Sequence, residues 1–179
     1  TLNFSRPLNN VTTTQLATKL SAPASCTKSV NANSSTSYTV TLSNCADGSI
    51  NLSLPANMVA DTDGNQNTLL TATNFTLDTT APTATFTLQL APSVTSKHVY
   101  NVVFSESVNG LTAQDFSLPA GLSVGCVIRG PVGVGSTYMV ILENCVPGDF
   151  ALELAASSVA DVAGNIGPAV ATTSATSTQ

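Results

Sequence analysis

The chain aligns with itself, without a gap, at an offset of 100 residues. Cys26 falls on Cys126, Tyr38 on Tyr138, Asn44 on Asn144, Cys45 on Cys145 and Gly48 on Gly148. Val59-Ala60-Asp61 falls on Val159-Ala160-Asp161, and Gly64-Asn65 on Gly164-Asn165. Self-similarity at a fixed period marks a tandem array, and duplicated modules supply length and repetition before they supply chemistry. Residues 1–79 match 101–179, so the first copy has no counterpart to Thr80–Tyr100. That stretch carries a strand pattern at Ala84–Leu90, where Phe86, Leu88 and Leu90 alternate with polar residues. The expectation is a complete module over 80–179 and a module over 1–79 that lacks its opening strand.

Composition narrows the partners. Charged residues are 8% of the chain, against roughly 25% in ordinary soluble proteins. A net charge of −5 with five basic residues and no Trp argues against nucleic acid, whose phosphates require basic patches. A neutral surface rich in Ser and Thr suits an extracellular β-protein, and β-branched Thr favours strands. No apolar run approaches the ~20 residues of a membrane-spanning helix. Without a leader or an initiator Met, the chain reads as a mature protein or an excised piece.

The cysteines form one pair per copy, Cys26 with Cys45 and Cys126 with Cys145, each flanking a turn-rich middle. A hairpin folding about positions 35–36, or 135–136, sets each pair opposite. Cross-strand disulfides are therefore expected, and with them an oxidising compartment. Free buried thiols and zinc are the lesser readings. A four-ligand zinc site would have to join the two modules, because the chain has one histidine, His98.

Within each copy the hydrophobic period is 2. Tyr138, Val140 and Leu142 alternate with Met139, Ile141 and Glu143; Phe150, Leu152 and Leu154 follow the Pro147-Gly148-Asp149 turn. The first copy repeats this with Tyr38, Val40 and Leu42, then Ile50, Leu52 and Leu54. Tyr100, Val102 and Phe104 form another inward set, met by Leu2 and Phe4. With strands near Cys126 and over 169–176, the pattern predicts an all-β chain of two sandwiches, with one helical turn at Thr112–Phe116.

The run Val102-Val103-Phe104-Ser105-Glu106-Ser107-Val108, then Leu111-Thr112-Ala113-Gln114-Asp115-Phe116, resembles the opening of bacterial Ig-like repeats. Val159–Asn165 and the junction Asp78-Thr79-Thr80-Ala81-Pro82-Thr83 resemble them too. The first copy departs from the pattern at Gln15-Leu16, and hairpin cysteines are not general in these repeats. The resemblance implies Ig-like sandwiches and a place in large secreted or surface-attached multi-repeat proteins, often adhesins or appendage stalks. It implies no ligand.

Asp61, Asp63 and Asn65 place side-chain oxygens at alternate positions around Gly64, and Asp78 could add a further one. Calcium takes six to eight oxygens, so this loop is the candidate calcium site; no other cofactor is expected. The competing reading is a tight turn in which Asp and Asn cap backbone N–H groups. Glu106, Asp115, Glu143, Asp149 and Glu153 are scattered along the chain, and His98 reads as a surface residue. No catalytic set emerges. Lys19, Lys28 and Lys97 do not recur at the offset, and no sequence signature supports a Lys–Asn isopeptide crosslink. The sequons at Asn3, Asn10, Asn33, Asn51 and Asn74 all lie in the first copy and read as chance in an Asn- and Thr-rich chain.

Asp78, Thr79, Thr80, Ala81 and Pro82 read as a short extended linker setting the modules end to end. The function expected is that of a non-enzymatic spacer in a bacterial surface protein, adhesin stalk or fibre, outside the cell or on its surface. Its partners would be neighbouring Ig-like modules or identical subunits, with any ligand at the fibre tip unknown. Three alternatives stay open: a filament subunit polymerising by strand complementation, a glycan- or protein-binding module, and an accessory domain of a secreted enzyme.

Overall fold

The computed structural model describes residues 1–72, 74–89 and 97–178, Ser177 and Thr178 by backbone alone. Leu90, expected at the end of a strand, lies outside them. The chain is predominantly β and divides into two compact units, Thr1–Asp78 and Thr79–Gln179.

Unit 1 contains β1 (Leu2–Asn3), α1 (Thr13–Lys19), β2 (Thr27–Ala32), β3 (Ser37–Ser43), β4 (Gly48–Ile50), β5 (Ser53–Leu54), β6 (Leu70–Thr71) and β7 (Phe75–Leu77). Its largest sheet has the order β1-β3-β2, and β4 pairs with β7 and β5 with β6, all antiparallel. Leu2, Leu16, Val30, Tyr38, Leu54 and Val59 form the core.

In unit 2 come β8 (Ala84–Gln89), β9 (His98–Phe104), β10 (Val108–Asn109), a 3-10 turn (Ala113–Asp115), β11 (Phe116–Ser117), β12 (Val127–Val134), β13 (Thr137–Glu143), β14 (Asp149–Phe150), β15 (Glu153–Leu154), β16 (Val159–Asp161), β17 (Ile166–Gly167), β18 (Thr172–Thr173) and β19 (Ser177–Thr178). The main sheet has the order β12-β13-β9-β8. Alternation along β9 buries His98, Tyr100, Val102 and Phe104. They meet Val140, Leu142, Phe150, Leu152 and Leu154 in one cluster. Each such aliphatic side chain contributes about 1.5–3 kcal/mol by leaving water.

Backbone conformation repeats with the sequence. Left-handed residues recur at Asn10 and Gly110, Asn44 and Asn144, Asn57 and Ser157, and Gly64 and Gly164. Asn tolerates this region better than most side chains. The edge-to-face pair Phe4–Tyr38, at 5.9 Å, recurs as Phe104–Tyr138 at 6.0 Å.

Two departures are instructive. Where unit 2 forms a 3-10 turn and then β11, unit 1 forms α1, closed by a Thr12–Gln15 capping box. Leu16 and Phe116 are nonetheless both buried. The closing strands also differ in register: Ile50 pairs with Phe75, but Phe150 pairs with Ser177, two residues further than the sequence offset gives. A slip of two preserves which face points inward, whereas a slip of one would reverse it.

Candidate functional site

Both disulfides are formed, Cys26–Cys45 and Cys126–Cys145, each with a Cα–Cα separation of 4.1 Å. The cysteines are not directly opposite in the ladder. Thr27 faces Ser43 and Val127 faces Glu143, which sets each first cysteine against Asn44 or Asn144. The left-handed turn at that Asn carries Cys45 or Cys145 back within reach.

In the Asp61 loop the carboxylate closes a turn. Asp61 Oδ1 accepts the backbone N–H groups of Asp63 and Asn65, both at 2.9 Å. The Asn65 side-chain amide donates to Asp61 Oδ2 at 3.0 Å, and Asp63 forms an ion pair with Arg6. Asp161 repeats the arrangement, accepting from Gly164 N at 2.6 Å, Asn165 N at 2.8 Å and Asn165 Nδ2 at 2.8 Å. The Asn65 amide, with further help from backbone N–H groups and Arg6, holds Asp61 below the usual carboxylate range against some desolvation. For Asp161 desolvation is the larger single influence and acts upward, but the Asn165, Gly164 and Ala163 donors together outweigh it and lower the pKa. Among the described residues, Asp61 and Asp63 join no cluster of three acidic, His or Cys ligand atoms. Asp78 ends unit 1, half-buried, after β7. The geometry of the loop is that of a backbone-capping turn.

The scattered acids also have structural partners. Asp115 Oδ2 accepts from Thr112 N at 2.7 Å and caps the 3-10 turn. Glu143 lies 3.5 Å from Lys97 and 3.4 Å from Arg129. Glu153 accepts from Ser117 and Thr173 on the strands to either side, both at 3.3 Å.

His98 is a core residue, not a surface one. It is 7% exposed and stacks on Phe150 with ring centroids 3.7 Å apart. Its place follows from the alternation of Tyr100, Val102 and Phe104, carried one step back. Pro82, read from sequence as part of a linker, is also interior: it is among the fully buried residues, and a Cβ at Gly167 would collide with its carbonyl oxygen.

Among the described residues of unit 1, two concavities stand out. One, of about 330 Å³, is lined by residues including Ser5, Leu8, Leu54, Asp61, Asn67 and Leu70. The other, of about 320 Å³, is lined by residues including Leu2, Leu20, Val40, Leu52, Leu54 and Leu70. No protein-family model, curated protein or solved structure matches this chain.

Proposed function

We propose that the chain is a non-enzymatic spacer segment, two Ig-like β-sandwich modules of an extracellular or surface-attached protein. The observation that carries this reading is the repetition itself. Each unit fastens its hairpin with a disulfide and closes its Asp61 or Asp161 loop on its own backbone. Asp61, Asp115 and Asp161 cap backbone turns, and Glu153 accepts from the strands on either side. A recognition module would display aromatics on its loops; of the chain's Tyr and Phe side chains, Phe75 in β7 is the exposed one.

Single-molecule pulling tests the mechanical part. Each disulfide locks a sequence separation of 19 residues, so reduction should lengthen each unit's unfolding step by roughly 60 Å at about 3.3–3.6 Å per residue. Glycan and protein arrays probed with the full chain test the functional part. Saturable binding lost on loop substitution would replace the spacer with a recognition module.

A further inference from the structure

The two units differ most where unit 2 has Thr79–Gln89 and the first half of β9. In unit 2, residues Met139–Leu142 of β13 pair with His98–Asn101, and β8 then covers β9. In unit 1, β1 meets β3 only at Tyr38 and Ser37. Among the described residues no strand lies beside Thr39–Leu42 on that side. An unpaired sheet edge is a template for a further strand.

The side chains beneath that edge tell the same story. Val140, Leu142 and Leu152 are each 0% exposed; their counterparts Val40, Leu42 and Leu52 are only half-buried. Val40 and Leu52 line the 320 Å³ concavity. The corresponding region of unit 2 is packed by Tyr100, Phe86 and Leu88, with Phe86 and Tyr100 edge-to-face at 6.1 Å. The 330 Å³ concavity has its own counterpart. It is lined by Ser5 and Asn67, at the positions of Ser105 and Gly167. In unit 2 Ser105 Oγ accepts the Thr83 N–H at 3.0 Å, and Pro82 packs on Gly167.

We propose that unit 1 is a strand acceptor. Its occupant is an extended polypeptide segment of the kind that unit 2 carries as Thr79–Gln89 and His98–Asn101, in line with β1 on its N-terminal side. The segment puts a proline-sized group in the first concavity and an aromatic side chain in the second. Its backbone completes the ladder along Thr39–Leu42. The proposal stands apart from the spacer reading, since a recognition module would have the same slot.

The test joins a copy of the Thr80–Tyr100 sequence directly ahead of Thr1 in the full chain. A second chain carries the same residues in shuffled order. Residues 1–179 are unchanged in both, and unit 2 resonances report folding. The expected result is amide exchange along Thr39–Leu42 at least ~10-fold slower with the authentic segment, the factor given by about 1.4 kcal/mol of local stability. Methyl signals of Val40 and Leu52 should shift with it. Equal protection by the shuffled segment overturns the proposal. So does protection already present in the unmodified chain together with a concentration-dependent doubling of its 18.2 kDa mass, which would make the occupant a second copy.

Discussion

The hydroxyls of Ser174 and Tyr100 are hydrogen-bonded at 3.3 Å inside unit 2, and Ser174 Oγ also accepts the Leu152 N–H at 3.0 Å. One buried hydroxyl, just after β18, thus ties Tyr100 of β9 to Leu152, just ahead of β15. Tyr100→Phe should cost about 1 kcal/mol, the net worth of one hydrogen bond. Tyr100→Ala should cost about 3–5 kcal/mol because it also opens a cavity. Urea denaturation of both variants checks the difference.

Burial raises the Tyr100 pKa, against a smaller lowering by Ser174. The folded state therefore holds the phenolic proton more tightly than the unfolded chain. Its contribution is complete below about pH 10, the unfolded value, and is lost as pH rises through the folded one. The urea midpoint of the wild type should fall above pH 10, and Tyr100→Phe should flatten that fall.

Val40 and Val140 occupy the same position in the two copies but not the same environment. Val140→Ala should cost about 2–3 kcal/mol, and Val40→Ala about 1 kcal/mol, because the latter side chain is already partly wet. Unit-resolved hydrogen exchange separates the two.

Each disulfide closes a loop of similar length, so Cys26→Ser with Cys45→Ser, or Cys126→Ser with Cys145→Ser, should destabilise its own unit by about 3 kcal/mol. Calorimetry should show one transition moving to lower temperature while the other stays in place.

Asp61 and Asp161 have lowered pKa values. Their stabilisation is complete above the unfolded value of about 3.9 and is lost as pH falls through the folded one. Asp161→Asn should reduce the acid sensitivity of unit 2 while leaving that of unit 1 intact, as read from urea midpoints at successive pH values.

Much of the β-structure was legible because alternation in strands such as Tyr100–Phe104 and Tyr38–Leu42 states which face is inward. His98 escaped because its ring is polar, although it continues the same period. The short helix α1 escaped because seven residues show little helical period and its start is rich in β-branched Thr; the Thr12-Thr13-Thr14-Gln15 capping box was the available signal. The shifted register of β19 could not be seen in a gapless offset, since a slip of two leaves the inward set unchanged. At the Asp61 loop the sequence presents the same oxygens whether they hold an ion or cap a turn. What sequence could not show is that the backbone N–H groups of Asp63 and Asn65 arrive at Asp61 Oδ1, because their direction depends on folding.

The interior position of Pro82 governs how the molecule can be divided. A protease or an expression boundary that separates the halves before Thr79 leaves the second half with its own packing. A cut only a few residues later strips the proline from beneath Gly167 and detaches Thr83 from Ser105. The safe seam of this protein is therefore narrow, and it lies ahead of the residues that look most like a hinge.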